Sequence, residues 1–292
     1  MIFGAIDIGT NAARLLIGEV VEDNGNSYVK KISYNRVPLR LGFEVFSDGL
    51  ISEAKTEDFV KTIQAFKLIS EVYGVKELRA CATSAMREAS NGKKIQKRIR
   101  KETGVNIEII DGEEEANLIF STFLLIAFDK TVPFIVVDVG GGSTEISVFE
   151  KGSKIAGKSF QVGTIRILKN KVGDTLWKEM GKWLTVNVDL TSPHKVFATG
   201  GNINKLHKVL GKELIEPIHL KELKTIYTLM NDMSIEERIK KYQFKEDRAD
   251  VIVPACEIYL FIAKYLNINE YFVPKIGLSD GMIYNLHQNE LK

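Results

Sequence analysis

The 292-residue sequence is poor in cysteine, histidine and proline and carries almost no net charge. Its two cysteines, Cys81 and Cys256, each lie among apolar residues, which favours buried reduced thiols over a disulfide or a metal site. The four histidines are scattered without zinc-ligand spacing, so a transition-metal site is disfavoured. A formal charge of +2 provides no global field that would gather nucleic acid or a membrane surface. Any bound anion must therefore be held locally.

Long apolar runs and targeting signals are also absent from the sequence. The longest apolar stretch, "LIFSTFLLIAF", is well short of the ~20 residues that a membrane-spanning helix requires. The N-terminus, "MIFGAIDIG", enters a strand-like pattern without the basic region that opens a signal peptide. We therefore expect a soluble cytoplasmic protein with no membrane partner and no nucleic-acid partner.

One pattern occurs twice along the chain. "GAIDIGTNAARLLIGEV" and "IVVDVGGGSTEISVFE" both read as an apolar strand, an aspartate, a glycine turn and a second β-rich strand. Asp7 of the first copy matches Asp138 of the second, and Gly9 matches Gly140. Two such hairpins, each opening one half of the chain, predict two related domains. The alternative is two unrelated hairpins that both contain Asp-x-Gly.

Helical patterns follow the strand-rich opening of each half, which indicates α/β domains. A length of 292 residues favours two domains, and "AFDKTVP" is the best linker candidate. We assign residues 1–127 to an N-terminal domain and 128–292 to a second one, with helix 281–292 a candidate to pack on the first. The predicted helices include 52–72, 93–102, 113–127, 220–231 and 247–265, the last with a kink or break at Pro254.

Glycine turns are the strongest signal of an anion site. Three consecutive glycines let the backbone approach a ligand closely, and the N–H groups of such a turn suit phosphate oxygens. A strand that ends in a glycine pair before a helix offers a further anion position at the helix N-terminus. A glycine pair before a helix more often serves packing, so its weight comes from being the third such element. The phosphate-binding candidates are Gly9, Thr10, Asn11, Gly140, Gly141, Gly142, Ser143, Gly200 and Gly201.

The order of these loops resembles the actin, Hsp70 and sugar-kinase superfamily. In finer detail the chain resembles the exopolyphosphatase and guanosine pentaphosphate phosphohydrolase (Ppx/GppA) family. The resemblance implies an α/β fold of two ribonuclease-H-like domains flanking an interdomain cleft. It also implies hydrolysis of terminal phosphoanhydride bonds in polyphosphate or guanosine pentaphosphate. The motifs that carry it are "DIGTNAARLLI", "ATSAMREASN", "IEIIDGEEEANLIF", "VVDVGGGSTEIS", "QVGTIRI", "ATGGNINKL", "RADVIVPACEIY" and "IGLSDGMIY".

The resemblance also implies roles for charged residues. The second glutamate before Ala116 in "DGEEEANLIF" is Glu115, which matches the family's general base, and Arg87 matches an arginine that meets phosphate. The alternative for the glutamates is complementing the helix dipole, with Asp111 as the cap and Glu114 closing a capping box. The family's Mg²⁺ site corresponds to Asp138, Glu145 and Asp7, for which strand-end polarity is the alternative.

Two departures from the family pattern concern the substrate. Ala12 stands where the first loop usually has Ser, and Ser279 and Asp280 stand where Arg and Glu are common. The second change removes a cation near the substrate or alters only an interdomain salt bridge. Two other functions stay open: an ATP-dependent sugar kinase, and a non-catalytic sensor of guanosine tetra- or pentaphosphate or polyphosphate. Analogy with several relatives suggests a homodimer.

Overall fold

The computed structural model describes residues 1–23, 26–123, 125–126, 128–129, 131–214 and 216–291. The chain divides into two compact units, Met1–Ala127 with Ile276–Lys292, and Phe128–Lys275. Residues 127 and 130 of the predicted linker lie outside the described residues, as does the predicted end of the helix over 113–127. Cys81 and Cys256 are both buried free thiols, which confirms the sequence interpretation.

The first unit is built on a five-stranded mixed sheet in the order β3-β2-β1-β4-β5. β1 pairs antiparallel with β2 and parallel with β4, and all six residues of β1 are buried because the strand lies in the centre of the sheet. The elements are β1 (Phe3–Ile8), β2 (Ala13–Asp23), β3 (Asn26–Val37), α1 (Leu41–Asp48), α2 (Glu53–Val72), β4 (Glu77–Ala82), α3 (Ser84–Glu88), α4 (Gly92–Thr103), β5 (Ile107–Ile109) and α5 (Gly112–Phe123).

The second unit repeats the first four strands of that order, as β8-β7-β6-β9. β6 pairs antiparallel with β7, the strand that follows it, and parallel with β9, as β1 does with β2 and β4. Two mixed sheets with the same order confirm the predicted repeat and the α/β class. The elements are β6 (Phe134–Val139), β7 (Thr144–Glu150), β8 (Ser153–Phe160), α6 (Thr164–Leu168), α7 (Asp174–Asn187), β9 (Lys195–Thr199), α8 (Gly201–Val209), β10 (Ile218–His219), α9 (Leu220–Asn231), α10 (Ile235–Tyr242), α11 (Glu246–Ala249), α12 (Ile252–Leu266) and β11 (Glu270–Tyr271).

The last helix, α13 (Leu278–Glu290), returns to the first unit and packs against α5, β1 and β2. Its first turn is fixed by Asp280, whose Oδ2 accepts a hydrogen bond from the Gly277 N–H at 3.0 Å. Oδ1 of the same side chain forms an ion pair with Lys31 Nζ of β3 at 2.9 Å. The buried carboxylate therefore joins the start of α13 to the edge strand of the sheet.

The predicted helix over 247–265 is interrupted in the structure. α11 ends at Ala249 and α12 begins at Ile252, so the break precedes Pro254 instead of lying at it. Pro254 occupies the third position of α12, where a backbone N–H has no partner within the helix and its absence costs little. The apolar face of α12 enters the core of the second unit through residues such as Ile258 and Ile262.

Candidate active site

The glycine turn of the second unit is closed by its own backbone. It joins β6 to β7, and the Gly140 N–H donates to the Ser143 carbonyl at 2.9 Å. Thr144, the first residue of β7, donates its hydroxyl to the Val162 carbonyl at 2.6 Å, so this hydroxyl serves the fold. Ser143 is the hydroxyl residue that remains in the turn, and it is largely buried.

The carbonyl oxygens of the three glycines in this turn bond to one neighbouring segment, residues 164–166. Those of Gly140, Gly141 and Gly142 accept, in that order, from Thr164 N at 3.1 Å, Ile165 N at 2.8 Å and Arg166 Nε at 2.5 Å. In a trans peptide the C=O of one residue and the N–H of the next point in opposite directions. The N–H groups of residues 141, 142 and 143 are therefore directed away from this segment. Three adjacent donors in such a turn can hold the oxygens of a phosphate.

Gly163 allows this contact because it has no side chain. A Cβ built at this residue would lie 2.5 Å from the Gly142 carbonyl carbon and 2.6 Å from both the Gly141 oxygen and the Ser143 nitrogen. Any other residue would force the two backbones apart. The motif "QVGTIRI" thus contributes a glycine that packs under the turn and an arginine that holds its last carbonyl.

The turn between β1 and β2 in the first unit is held by the same kind of backbone hydrogen bonds. The Gly9 N–H donates to the Ala12 carbonyl at 3.1 Å, matching the closure of the second turn. The carbonyls of Thr10 and Asn11 accept from the backbone N–H groups of Gly42 at 3.0 Å and Arg40 at 2.9 Å. By the same peptide geometry, the N–H groups of residues 11 and 12 face away from the segment 40–42.

Asp138 and Glu145 are direct cross-strand partners on either side of the glycine turn. Their side chains share one face of the sheet, and two like charges in this relation destabilise a strand pair unless a cation or a proton offsets them. Asp138 Oδ1 accepts from Thr199 Oγ1 at 2.6 Å, and Glu145 Oε1 accepts from Ser159 Oγ at 2.7 Å. The two hydroxyls orient both carboxylates.

The equivalent pair in the first unit has opposite charges. Asp7 is the cross-strand partner of Arg14, whose Nη1 donates to Asp7 Oδ2 at 2.5 Å. The arginine places a positive charge beside Asp7, and the metal role of Asp7 stays a prediction. The two copies of the hairpin therefore differ at the position occupied by Arg14 in one and Glu145 in the other.

The glycine pair between β9 and α8 lies against the carboxylate of Asp138. Gly200 has a φ of 103°, and a Cβ there would be 3.0 Å from the Val139 oxygen and 3.1 Å from Asp138 Oδ1. Arg248 lies over Gly201 and donates from Nη1 to Asn202 Oδ1. The second unit thus brings together the turn, the two carboxylates and the N-terminus of α8, and adds a guanidinium there.

Glu115 differs from its two acidic neighbours. It is 8% exposed in the first turn of α5, whereas Glu113 and Glu114 are exposed. Asp111 Oδ1 caps the helix by accepting from the Glu114 N–H at 2.8 Å, as expected. The predicted capping box is wrong in its second half, because Glu114 Oε1 accepts from Arg79 Nη2 at 2.9 Å.

Arg87 lies beside the start of the same helix. Its Nη1 donates to the carbonyl of Ile110 at 2.7 Å, immediately before the residues that open α5. The side chain is half-buried. The first unit therefore fixes a guanidinium at residue 110, five positions before the buried Glu115.

Sequence reasoning gave no role to several residues that shape these loops. They are held by contacts between segments far apart in the chain, which no local spacing reveals. The family motifs "QVGTIRI" and "RADVIVPACEIY" were the available signals. The residues concerned are Arg40, Gly42, Gly163 and Arg248.

Two mixed sheets of one order, each opening with a hairpin around a glycine turn, define an actin-like fold. The chain belongs to the Ppx/GppA phosphatase family, whose sequence profile matches residues 20–290. In the described part of the chain, no helix combines the length and apolar character needed to cross a membrane.

The names of proteins that are similar to this chain agree with this family. Exopolyphosphatase 1 of Mycobacterium tuberculosis is 25% identical over 303 residues, covering 97% of this chain and 87% of the relative. A guanosine-5'-triphosphate,3'-diphosphate pyrophosphatase of Pseudoalteromonas translucida is 21% identical, covering 100% of this chain and 61% of the relative. The crystal structure of an exopolyphosphatase from Cytophaga hutchinsonii has the same fold, with a TM-score of 0.84, 23% identity and coverage of 99% and 98%.

Proposed function

We propose that this protein hydrolyses the terminal phosphoanhydride bond of inorganic polyphosphate or guanosine pentaphosphate and releases orthophosphate. The observation that carries the proposal is the turn 140–143: the carbonyls of Gly140, Gly141 and Gly142 bond to residues 164–166, and the N–H groups of residues 141–143 point away from that segment. Fixed donors of this kind stabilise phosphoryl transfer by positioning and electrostatics. The names of the relatives support these two substrates, and family membership favours a hydrolase over a kinase or a sensor.

We assign a divalent cation to Asp138 and Glu145. Two carboxylates facing each other across a strand pair give the hard oxygen ligands that Mg²⁺ takes in small numbers. When bound, the cation would offset the charge of the substrate phosphates. Thr199 and Ser159 orient the two carboxylates through their hydroxyls.

Glu115 acts as the general base in this proposal. Its carboxylate accepts a proton from a water molecule, and the water oxygen forms a bond to the terminal phosphorus. The bond from that phosphorus to the bridging oxygen breaks, and the bridging oxygen leaves on the shortened chain with its electron pair. Orthophosphate is the other product. A buried carboxylate among exposed ones suits this role, since burial of a charge without purpose is costly.

The other loops and cations hold the substrate. The N–H groups of the turn 9–12 and the N-terminus of α8 at Gly201 donate to phosphate oxygens. Arg87 offers a planar fork to the same oxygens. We further propose that the units built around residues 1–127 and 128–275 are the two domains of the protein, with the C-terminal segment belonging to the first.

The test compares phosphate release by the wild type and Glu115→Gln. Long polyphosphate, tripolyphosphate and guanosine pentaphosphate are assayed in parallel with Mg²⁺. The substitution keeps the shape of the side chain and removes the base, so we expect kcat to fall roughly 100-fold or more.

Glu114→Gln is the matched control, because this neighbour is exposed and forms an ion pair with Arg79. We expect it to retain activity within about twofold, since surface ion pairs contribute little. Activity of Glu115→Gln within a few fold of the wild type would exclude the base role. Binding of all three substrates without release by the wild type would contradict hydrolysis and favour the sensor.

A further inference from the structure

The helix α4 carries an unusual density of positive charge for a protein whose formal net charge is +2. Its sequence, "GKKIQKRIRKET", contains six cations and one acidic residue. Five of the cations are exposed. They are Lys93, Lys94, Lys97, Arg100 and Lys101.

These five cations share one face of the helix. At 3.6 residues per turn they fall within about a third of its circumference, opposite the buried residues Ile95 and Ile99. Lys93, Lys97 and Lys101 repeat at intervals of four, so their Cα atoms follow one line about 12 Å long. We call the surface formed by the five cations the lysine face.

The lysine face contrasts with other cations on the surface. Among the described residues, no carboxylate lies within ion-pair distance of its five members. The sixth cation, Arg98, points off the face and donates to Glu53 and Glu102. Elsewhere in the first unit, Lys30 pairs with Glu19. The face is therefore a local concentration of positive charge that its own neighbours leave uncompensated.

This arrangement costs helix stability. Like charges three and four residues apart repel each other by a few tenths of a kcal/mol per pair. Two of the lysines, Lys93 and Lys94, also lie in the first turn, where the helix dipole favours acidic residues and none occurs. Arg100 and Lys101 lie in the last turn, where the dipole favours cations, so the penalty falls on the first half of α4, and a bound polyanion would offset it.

The ligand that fits is a linear polyanion without bases. α4 contains no aromatic residue, whereas proteins that bind single-stranded nucleic acid usually stack bases on aromatic side chains. A row of point charges on flexible stems suits a chain of identical phosphates, which offers the same charge at every unit. The position agrees with this, because the Gly92 N–H donates to Ala89 at 2.9 Å, so α4 begins directly beside the segment that carries Arg87.

We propose that the lysine face of α4 is a binding surface for the extended part of an inorganic polyphosphate chain, apart from the residues that act on its terminal phosphate. The identity of the polyanion rests on the proposed function. Contact with several phosphates at once would raise the affinity for long chains and leave short substrates unaffected.

The test uses the full chain with Lys93→Gln, Lys97→Gln and Lys101→Gln combined. Binding of long polyphosphate is measured without Mg²⁺ at low and moderate salt, and KM and kcat are measured with Mg²⁺ for long polyphosphate and tripolyphosphate. We expect roughly tenfold weaker binding and a similar rise in KM for the long chain, with a shallower salt dependence, because three phosphate contacts are lost. For tripolyphosphate we expect KM and kcat to be unchanged.

The control neutralises three exposed lysines of the second unit, by Lys221→Gln, Lys224→Gln and Lys240→Gln, and thermal melts confirm folding of both variants. Equal losses of affinity for long polyphosphate in the two variants would overturn the proposal, because the change in net charge alone would then explain them. Unchanged binding in the α4 variant would overturn it too, as would tighter binding of single-stranded RNA at equal phosphate concentration. Lysine-dependent binding without hydrolysis by the wild type would support the surface while contradicting the proposed function.

Discussion

At the residue scale, the two copies of the hairpin differ most at one pair of positions, Arg14 in the first unit and Glu145 in the second. The aspartate of each copy meets this residue directly across the strand pair. In the first copy the result is an ion pair at 2.5 Å, and in the second it is a pair of carboxylates. The two copies of the repeat therefore differ by one charge reversal at this position, and the cation proposed above belongs to the copy with two carboxylates.

Single residues were predictable from the sequence where the local pattern dictates their role. Gly140 to Gly142 and the turn at Gly9 follow from glycines between apolar strands. Gly163 and Arg166 do not, because their partners lie 20 or more positions away in the chain. The burial of Glu115 beside two exposed glutamates likewise depends on how α5 packs.

The contact under the glycine turn can be tested by Gly163→Ala. The new methyl group would overlap the backbone of the turn, which must then move by a few tenths of an ångström or more. We expect kcat for phosphate release to fall roughly 10-fold to 100-fold, because small displacements of fixed groups are costly in catalysis. In urea unfolding, the free energy of unfolding should fall by about 1–3 kcal/mol.

Gly173→Ala is the matched control, since no atom lies within 4 Å of a Cβ at that residue. It should change neither kcat nor the urea midpoint appreciably. Full activity of Gly163→Ala together with unchanged stability would show that the turn does not depend on this packing.

At the element scale, long helices and buried strands were predicted well, whereas two short helices, α1 and α10, were not. α2 and α9 match the predicted bounds closely because each spans at least three turns of periodic sequence. α1 and α10 are eight residues each and were missed, since two turns give too little periodicity. The single helix predicted over 247–265 is two helices, α11 and α12. A break was expected at Pro254, but this residue lies in the first turn of α12, where proline is tolerated.

The docking of α13 depends on Asp280, one of the two departures from the family pattern near the C-terminus. It pairs with Lys31 inside the first unit. Burial raises the pKa of this carboxyl above its ordinary value of 3.8, and the charge of Lys31 only partly opposes that effect. The folded state therefore binds the proton more tightly than the unfolded state.

This pKa shift predicts a pH-dependent stability. The stability linked to Asp280 is fully present below the pKa of the unfolded state and is lost as pH rises through the raised pKa of the folded state. Asp280→Asn keeps an acceptor for the Gly277 N–H and has no charge to bury. We expect this variant to unfold at higher urea than the wild type at pH 7, and the difference to shrink towards pH 4.

Asp232→Asn, at an exposed residue, provides the control and should leave the pH profile of unfolding unchanged. A variant at Asp280 that is less stable than the wild type at pH 7 would contradict the prediction. It would mean that the ion pair with Lys31 outweighs the cost of burying the charge.

At the scale of the whole molecule, the sequence predicted the class of fold, the internal repeat and the family. These properties depend on many residues at once. The wrong capping box at α5 and the merging of α11 with α12 therefore did not affect them. The return of the chain to the first unit through α13 was foreseen only as a candidate, because docking of a terminal helix is decided by packing. The lysine face needed the structure, since burial separates its five exposed cations from Arg98.

The proposed hydrolysis requires a water molecule to attack the terminal phosphorus of the substrate. The most direct measurement is phosphate release from tripolyphosphate and guanosine pentaphosphate in ¹⁸O-labelled water, with the products analysed by mass spectrometry. The account predicts a single labelled oxygen in the orthophosphate and none in the shortened product. Label in the shortened product would place the attack at the next phosphorus, and no release of orthophosphate at all would contradict hydrolysis.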